Sequence, residues 1–329
     1  MLTYTIKRLL QSLLVVWAAA TLMFALFFII PGDPISLKSG EKSLPPEILA
    51  NIERKYGLDK PLYVQYFRFW GNLFRGDLGY SYKNDKSVNA ILSDGLSTSA
   101  RLLFWGALFQ LIIALVVGLT SAIKRGSLGD RMGTVFSVGI QGIPVFVSGL
   151  LAQYFFGVLP FQLNLQWLNF FKPWPQSWAF GVIPTEGWKG IILPALVVAV
   201  VDAAFIARML RSSLLEVLRA DYIRTAFSKG LSARRVWIHH ALRNALIPVV
   251  TVYGTSLIAI FGVAVQTEKV FSLPGMGSTI ADSALSQDAP VVLGLSIIVI
   301  GFGAVVNLIV DLSYALIDPR IKIDDKTVH

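Results

Sequence analysis

Twenty-two consecutive residues, Leu9 to Ile30, carry no charge and follow directly on Lys7 and Arg8. A helix needs roughly 20 apolar residues to cross the hydrocarbon core of a bilayer, so this stretch alone limits what the chain can become. Five more stretches qualify or nearly so: Leu102 to Ile123, Met132 to Leu159 with Pro144 inside it, Gly190 to Ala207 with a single acid at Asp202, Asn244 to Thr267 near Pro248, and Ala289 to Val310. The sequence therefore reads as an all-α polytopic membrane protein with six transmembrane helices. Composition agrees: 54% of the 329 residues are hydrophobic and only 15% charged, against about 25% charged in soluble domains.

Other classes fall away. A disordered chain lacks apolar residues on this scale. With no cysteine, a disulfide scaffold, a thiolate zinc cluster and a catalytic cysteine are all excluded. His239, His240 and His329 are the only histidines, which leaves little for metal chemistry, and no cofactor or metal is expected. Leu9 to Ile30 is longer than the roughly 7–15-residue core of a cleaved signal peptide, and Pro31-Gly32-Asp33-Pro34 is a poor cleavage site, so the first span reads as retained.

The net charge of +9 is explained by its placement. With the N-terminus inside, the inner segments hold 16 basic residues: Lys7 and Arg8, then Lys124, Arg125 and Arg131, then eight between spans four and five, then Arg320, Lys322 and Lys326. The two short outer loops hold 3, Lys172, Lys189 and Lys269. The positive-inside rule puts both termini in the cytoplasm, and no nucleic acid is needed to account for the basic character. Membrane lipid is the expected surrounding. The loop between spans three and four crowds Trp167, Trp174, Trp178 and Trp188, either as an aromatic belt at headgroup level or as packing within an irregular loop.

Three regions follow: residues 1–30, a tail and the first span; 31–99, an extracytoplasmic segment; and 100–329, a five-helix core with a cytoplasmic loop at 208–243. The outer segment reads as two short helices. One, entered at Pro46, carries Ile48, Leu49, Ile52 and Tyr56 and stops at Gly57. The other, after Pro61, carries Leu62, Tyr66, Phe67, Trp70, Leu73 and Phe74 and stops at Gly76 and Gly79. It is either a cap over the span ends or a docking surface. The last outer loop, Glu268 to Asp288, is either a re-entrant turn or a contact for an external protein.

The loop from Arg208 to Arg243 has eight basic residues and two acids, Glu216 and Asp221. Polybasic loops of this kind ordinarily serve the positive-inside rule and lipid headgroups. Its periodicity suggests two short helices around Gly230, the first lined by Leu210, Leu214, Leu215, Leu218 and Tyr222, the second by Val236, Trp237 and His240.

Its wording adds more. Asp221-Tyr222-Ile223-Arg224-Thr225-Ala226-Phe227-Ser228-Lys229-Gly230-Leu231-Ser232, then His240 to Ala245 and Pro248, resembles the coupling-loop motif of bacterial ABC importer permeases. More narrowly it resembles the dipeptide, oligopeptide and nickel branch. Pro31-Gly32-Asp33-Pro34, Tyr56 to Leu62 with Gly76-Asp77-Leu78-Gly79, Val270 to Gly277, and Asp318-Pro319-Arg320 match that branch in the same order along nearly the whole chain. Two positions depart from the general motif: Arg224-Thr225-Ala226 replaces Glu-Ala-Ala, and the late proline is Pro248. The resemblance implies a type I ABC importer permease in the bacterial plasma (inner) membrane, not itself an enzyme. It implies a second permease subunit, usually a different chain, two ATPase subunits or domains, and an external substrate-binding protein. The chain has no G-x-x-x-x-G-K-[ST] loop to cradle ATP. The ATPase-coupling residues implied are Asp221, Tyr222, Arg224, Thr225, Ala226, Lys229 and Gly230, with Tyr222, Phe227, Thr225 and Ala226 presented to the ATPase and Gly230 forming a tight turn. The cargo expected is a di- or oligopeptide.

Asp202 is the one ionisable residue well inside a span, and such residues are functional candidates. It either pairs with a base or hydroxyl of a neighbouring helix, lines the transport path, or couples protons. The last option belongs to the competing reading, an ion-gradient-driven secondary transporter with Asp202 as its coupling site. That class is expected to show inverted repeats and several intramembrane charges, which the sequence does not. A membrane-embedded protease lacks a Ser/His or H-E-x-x-H pair within a span.

Overall fold

The computed structural model describes residues 2–28, 57, 59–159 and 189–317. Pro31 to Pro34, the helix expected from Pro46 to Tyr56, the tryptophan-rich loop and the Asp318-Pro319-Arg320 end lie outside the described residues. Every regular element among the described residues is helical; extended pairing amounts to one isolated bridge between Tyr80 and Ser87. In hydrocarbon no water is available to pair backbone N–H and C=O groups, so a long apolar segment must satisfy them internally.

The helices, in chain order, are α1 (Leu2–Phe28), α2 (Leu62–Phe74), α3 (Val88–Ile123), α4 (Leu128–Gln141), α5 (Val145–Gln153), α6 (Lys189–Val217), α7 (Asp221–Ser228), α8 (Ala233–Val270), α9 (Met276–Leu285) and α10 (Ala289–Ile317). Five of them, α1, α3, α6, α8 and α10, are long and apolar enough to cross a membrane by themselves. The sixth stretch expected, Met132 to Leu159, corresponds to α4 and α5, which are bent by 110° at Gly142-Ile143-Pro144 and together make the sixth candidate span. Pro144 has no N–H to continue the ladder and pushes the residue before it out of the helical region.

Three other boundaries differ from the sequence expectation. Helix α3 begins at Val88, not Leu102, because its polar first turns still bury Val88 and Leu92 on one side. Helix α6 runs on to Val217, so Leu210, Leu214 and Leu215 belong to the end of a span rather than to a separate loop helix. Helix α8 starts at Ala233 and passes without interruption through a π-helical stretch, Val236–Leu242, into its apolar part. Pro248 inside it removes one ladder bond, but the helix continues on both sides.

The chain forms two compact units. Unit 1 comprises Met1–Ser99 and Pro274–Val305, and unit 2 comprises Ala100–Leu273 and Val306–His329. In unit 1, α2 packs on the end of α1. Phe24 lies edge-on to Tyr66 with ring centres 5.4 Å apart, and Thr21 and Tyr66 share a hydroxyl hydrogen bond of 2.9 Å. A Schellman arrangement closes α2, with Gly76 N–H bonded to Leu73 O and Asp77 N–H to Asn72 O. Asp288, fully buried just before α10, then fixes the following turn: one oxygen accepts from Ser81 Oγ and the other from Tyr82 N at 2.9 Å. Ser99 Oγ accepts from Met276 N at 2.8 Å and so anchors the start of α9 on α3. In unit 2, α6 is the central helix and the most deeply buried of the five long apolar helices. Leu102, Val198, Ile260 and Phe271 form one apolar cluster around it, and Ile206, Leu210, Leu214 and Val249 belong to another.

Replacing Asp288 with alanine leaves the Ser81 hydroxyl and the Tyr82 amide without their buried acceptor, at a cost of about 1–3 kcal/mol each. Asp288→Ala is expected to lower the thermal unfolding midpoint of the purified protein by several degrees and to speed amide exchange at Tyr82. Asp288→Asn, which keeps one acceptor, is expected to lose less in both measurements.

Candidate functional site

The stretch between α6 and α8 is built around α7. Helix α6 closes with Arg219 N–H on Glu216 O and Ala220 N–H on Val217 O. Asp221 then opens α7, an acid in a first turn where the helix dipole favours it. Eight residues are too few to hold a helix in water alone; tertiary packing supplies the rest. Ile223 and Ala226, three apart and so on one face, are buried against Leu210 and Leu214 of α6 and Val236, Ala241 and Ala245 of α8. Asn244 Nδ2 donates to Tyr222 Oη at 2.8 Å, a polar tie from α8 to the start of α7.

The end of α7 is another Schellman arrangement. Gly230 N–H bonds Phe227 O, Leu231 N–H bonds Ala226 O at 3.4 Å, and Leu231 folds back onto the same apolar cluster. Gly230 sits at φ +78, and a β-carbon there would meet nothing within 4 Å. Backbone conformation, not crowding, is thus what favours glycine; other residues pay about 1–2 kcal/mol in the left-handed region.

Of the seven residues singled out on this loop, Asp221, Tyr222, Arg224, Thr225, Lys229 and Gly230 are exposed, and Arg224 lies 3.6 Å from Asp221. Ala226 is buried, which corrects the expectation that it is presented outward. The period that marks α7 as helical puts Ala226 on the Ile223 side; a small residue there lets α7 lie close to α8. Tyr222, which the sequence grouped with the leucines of α6, is half-exposed on α7.

Next to this loop, Arg211 near the end of α6 forms a bidentate pair with buried Asp130 of α4: Nε to Oδ1 at 2.7 Å and Nη2 to Oδ2 at 2.8 Å. Asp130 Oδ2 also accepts from Gly126 N at 2.9 Å, and Ser127 caps α4 by accepting from Asp130 N. Sequence reasoning passed over Asp130. The Ser127-x-x-Asp130 spacing, a helix-start signature, was the signal available. Arg208 donates to Gln141 of α4.

Inside unit 2, Asp202 of α6 meets a hydroxyl: Ser256 Oγ of α8 donates to Asp202 Oδ2 at 3.1 Å, and Gln110 Nε2 of α3 donates to Ser256. Three helices are joined through three side chains. Gln110 is fully buried, and its Oε1 has no partner among the described residues. Gln153 Nε2 donates to Val270 O, linking α5 to α8, and Tyr253 Oη donates to Ala107 O, linking α8 to α3. Among the described residues no cluster of three metal-ligating side chains occurs.

Residues 1–103 match the family described as the N-terminal part of binding-protein-dependent transport system membrane components, and residues 114–323 match the binding-protein-dependent transport system inner membrane component family. The chain belongs to this family. It is 37% identical over 328 residues to an oligopeptide transport system permease protein of Haemophilus influenzae, covering 98% of this chain and all of that one. It is 37% identical over 338 residues to a di/tripeptide transport system permease protein of Pseudomonas aeruginosa and 34% identical over 336 residues to a dipeptide transport system permease protein of Escherichia coli. Each of those matches covers 98% of this chain and 99% of the relative. The protein is accordingly a multi-pass, all-α membrane transport component.

The Asp202–Ser256–Gln110 chain predicts a split between isosteres. Asp202→Asn keeps an oxygen for the Ser256 hydroxyl and is expected to purify with near-normal thermal stability. Asp202→Leu strands that hydroxyl and is expected to cost about 1 kcal/mol, in line with interhelix hydrogen bonds measured in membranes, read as a lower unfolding midpoint in detergent.

Proposed function

We propose that this chain is a permease subunit of an ATP-driven, binding-protein-dependent importer of di- or oligopeptides, forming half of the translocation path. The observation that carries the reading is α7: a short helix seated by its apolar side on the ends of α6 and α8, with its polar and aromatic side uncovered. The names of the relatives, all peptide permeases, supply the substrate class.

In this reading the second permease is a different chain, one of the importer's two ATPase subunits or domains docks on α7, and an external binding protein delivers the peptide. Asp221, Tyr222, Arg224, Thr225 and Lys229 make the outward contact; Gly230 and Ala226 set the angle and depth of α7. Charged rim residues steer such an association and fix its register more than they add affinity. When ATP closes the ATPases, α7 is carried with them, and its packing on α6 and α8 passes the displacement into the spans as rigid bodies. Residues 1–30 are the tail and first span, 31–99 the extracytoplasmic segment, and 100–329 the core. Both termini and the 208–243 loop face the cytoplasm of a bacterial inner membrane, which agrees with the distribution of Lys and Arg. Asp202 is an interhelix polar site that ties α6 to α8.

Mild-detergent purification of the tagged chain from its native membrane tests this. Co-purification of a second permease and an ATPase, with hydrolysis in the eluate, is the expected result. Gly230→Val puts a β-branched residue at a positive φ, and Ala226→Asp buries a carboxylate under α7. Each is expected to reduce ATP-driven dipeptide uptake at least tenfold while membrane insertion is retained. Wild-type uptake by both at wild-type expression, or a chain that elutes alone and moves solute down an ion gradient, overturns the reading.

A further inference from the structure

Two motifs that the coupling loop leaves unexplained, the one running through Gly57 to Leu62 and Gly76-Asp77-Leu78-Gly79, converge in unit 1 on a single cavity of about 200 Å³. Its wall contains one guanidinium, Arg68, and one carboxylate, Asp77. It also contains the amides of Gln65 and Asn72 and the rings of Phe69 and Tyr80. The far side is formed by the first turns of α10.

We propose that this cavity binds a small zwitterion, a molecule of dipeptide size with a free ammonium and a free carboxylate. The charges carry the argument. Arg68 and Asp77 line the same space yet form no ion pair with each other, and Arg68 has no hydrogen-bond partner among the described residues. Asp77 uses Oδ1 to accept from Gly79 N at 2.9 Å, which orients the carboxylate and leaves Oδ2 open. A guanidinium takes a carboxylate through two parallel hydrogen bonds, and a carboxylate takes an ammonium.

Gly57 lies beside the guanidinium. A β-carbon at Gly57 would lie 2.5 Å from Arg68 Nη1, so the absence of a side chain there makes the room that the guanidinium occupies. Its φ of +70 places the backbone in the same left-handed region as Gly230. Asn89 Oδ1 accepts from Leu78 N and Asn89 Nδ2 donates to Gly76 O, so α3 holds the Gly76–Gly79 turn at two points. The carboxylate is therefore presented from a fixed turn and the guanidinium from a helix. The Asp77 carboxylate, held in this way, loses little freedom on binding. The choice of a dipeptide-sized ligand rests on the peptide-import reading; the opposed charges do not depend on it.

The test is calorimetric titration of dialanine into the full chain, in nanodiscs of phosphatidylethanolamine and phosphatidylglycerol, with no binding protein present. Dialanine is expected to bind. N-acetyl-dialanine, lacking the ammonium, and dialanine amide, lacking the carboxylate, are each expected to bind at least tenfold more weakly. Arg68→Gln and Asp77→Asn are expected to lose at least tenfold toward dialanine, with Arg68→Lys in between. Absence of dialanine binding to wild type, or equal binding of the blocked forms, overturns the proposal without reference to any variant. Unchanged binding by both variants overturns it as well. ATP-driven dialanine uptake by the assembled importer is measured in parallel: binding without uptake counts against the import reading and leaves the cavity standing, whereas uptake without binding does the reverse.

Discussion

Hydrocarbon offers no hydrogen bonds, and the organisation of unit 2 follows from where its polar groups find them. Backbone groups are satisfied along each helix. Side chains have to look sideways. Gln110, Ser256 and Asp202 link α3, α8 and α6; Gln153 reaches the carbonyl of Val270; Tyr253 reaches that of Ala107; Arg208 reaches Gln141. Each such bond is worth well under 2 kcal/mol in a membrane, so together they do more to fix register than to hold the bundle. Apolar side chains can slide past one another with little change in energy, whereas a hydroxyl aimed at a carboxylate has one register that works. Small residues then let the helices close up. Gly254 faces Val310 and Gly149 faces Val270 at distances that a β-carbon could not share without displacement.

The same logic explains why α7 has a defined orientation at all. A free segment of eight residues samples many conformations. Here three constraints act on it: the Ile223–Ala226 face in the apolar cluster, the Asn244–Tyr222 hydrogen bond at its start, and the Gly230–Leu231 closure at its end. All three partners lie on α6, on α8 or in the turn between α7 and α8. The Arg211–Asp130 pair adds α4 to the same assembly, with a buried carboxylate whose removal leaves an arginine beside an emptied site. A load applied to the exposed face of α7 is thus shared by α6, α8 and α4.

Much of this was legible from the sequence because the dominant signal, a run of about 20 apolar residues, is long and redundant. The five single spans, the helix after Pro61 and the turn at Gly230 follow from hydropathy, proline and glycine. What the sequence obscured is local. Met132 to Leu159 reads as one straight span because hydropathy counts residues and ignores direction, whereas Pro144 marks a 110° bend between α4 and α5. Val88 to Arg101 reads as loop because its polar positions outnumber its buried ones, although Val88 and Leu92 are enough to fix that end of α3. Ala226 was assigned outward because an alanine has no side to show in a sequence; only the buried neighbour Ile223, three residues earlier, tells which way it faces. Asp130 and Arg211 are 81 residues apart, and no local pattern pairs them.

Charge placement separates the residues that stability explains from those it does not. Asp130 and Asp288 are buried, and each is fully engaged by donors that would otherwise be stranded, so their presence is accounted for by the fold. Arg68 and Asp77 are different. Both are exposed to the cavity they line, each can remain hydrated at little cost, and an exposed pair contributes 0–1 kcal/mol even when it forms. Folding therefore gives little reason to place these opposite charges around one space. The fold would be served as well by neutral side chains at both positions, and what distinguishes the charged pair from them is the ability to hold a molecule that carries both complementary charges.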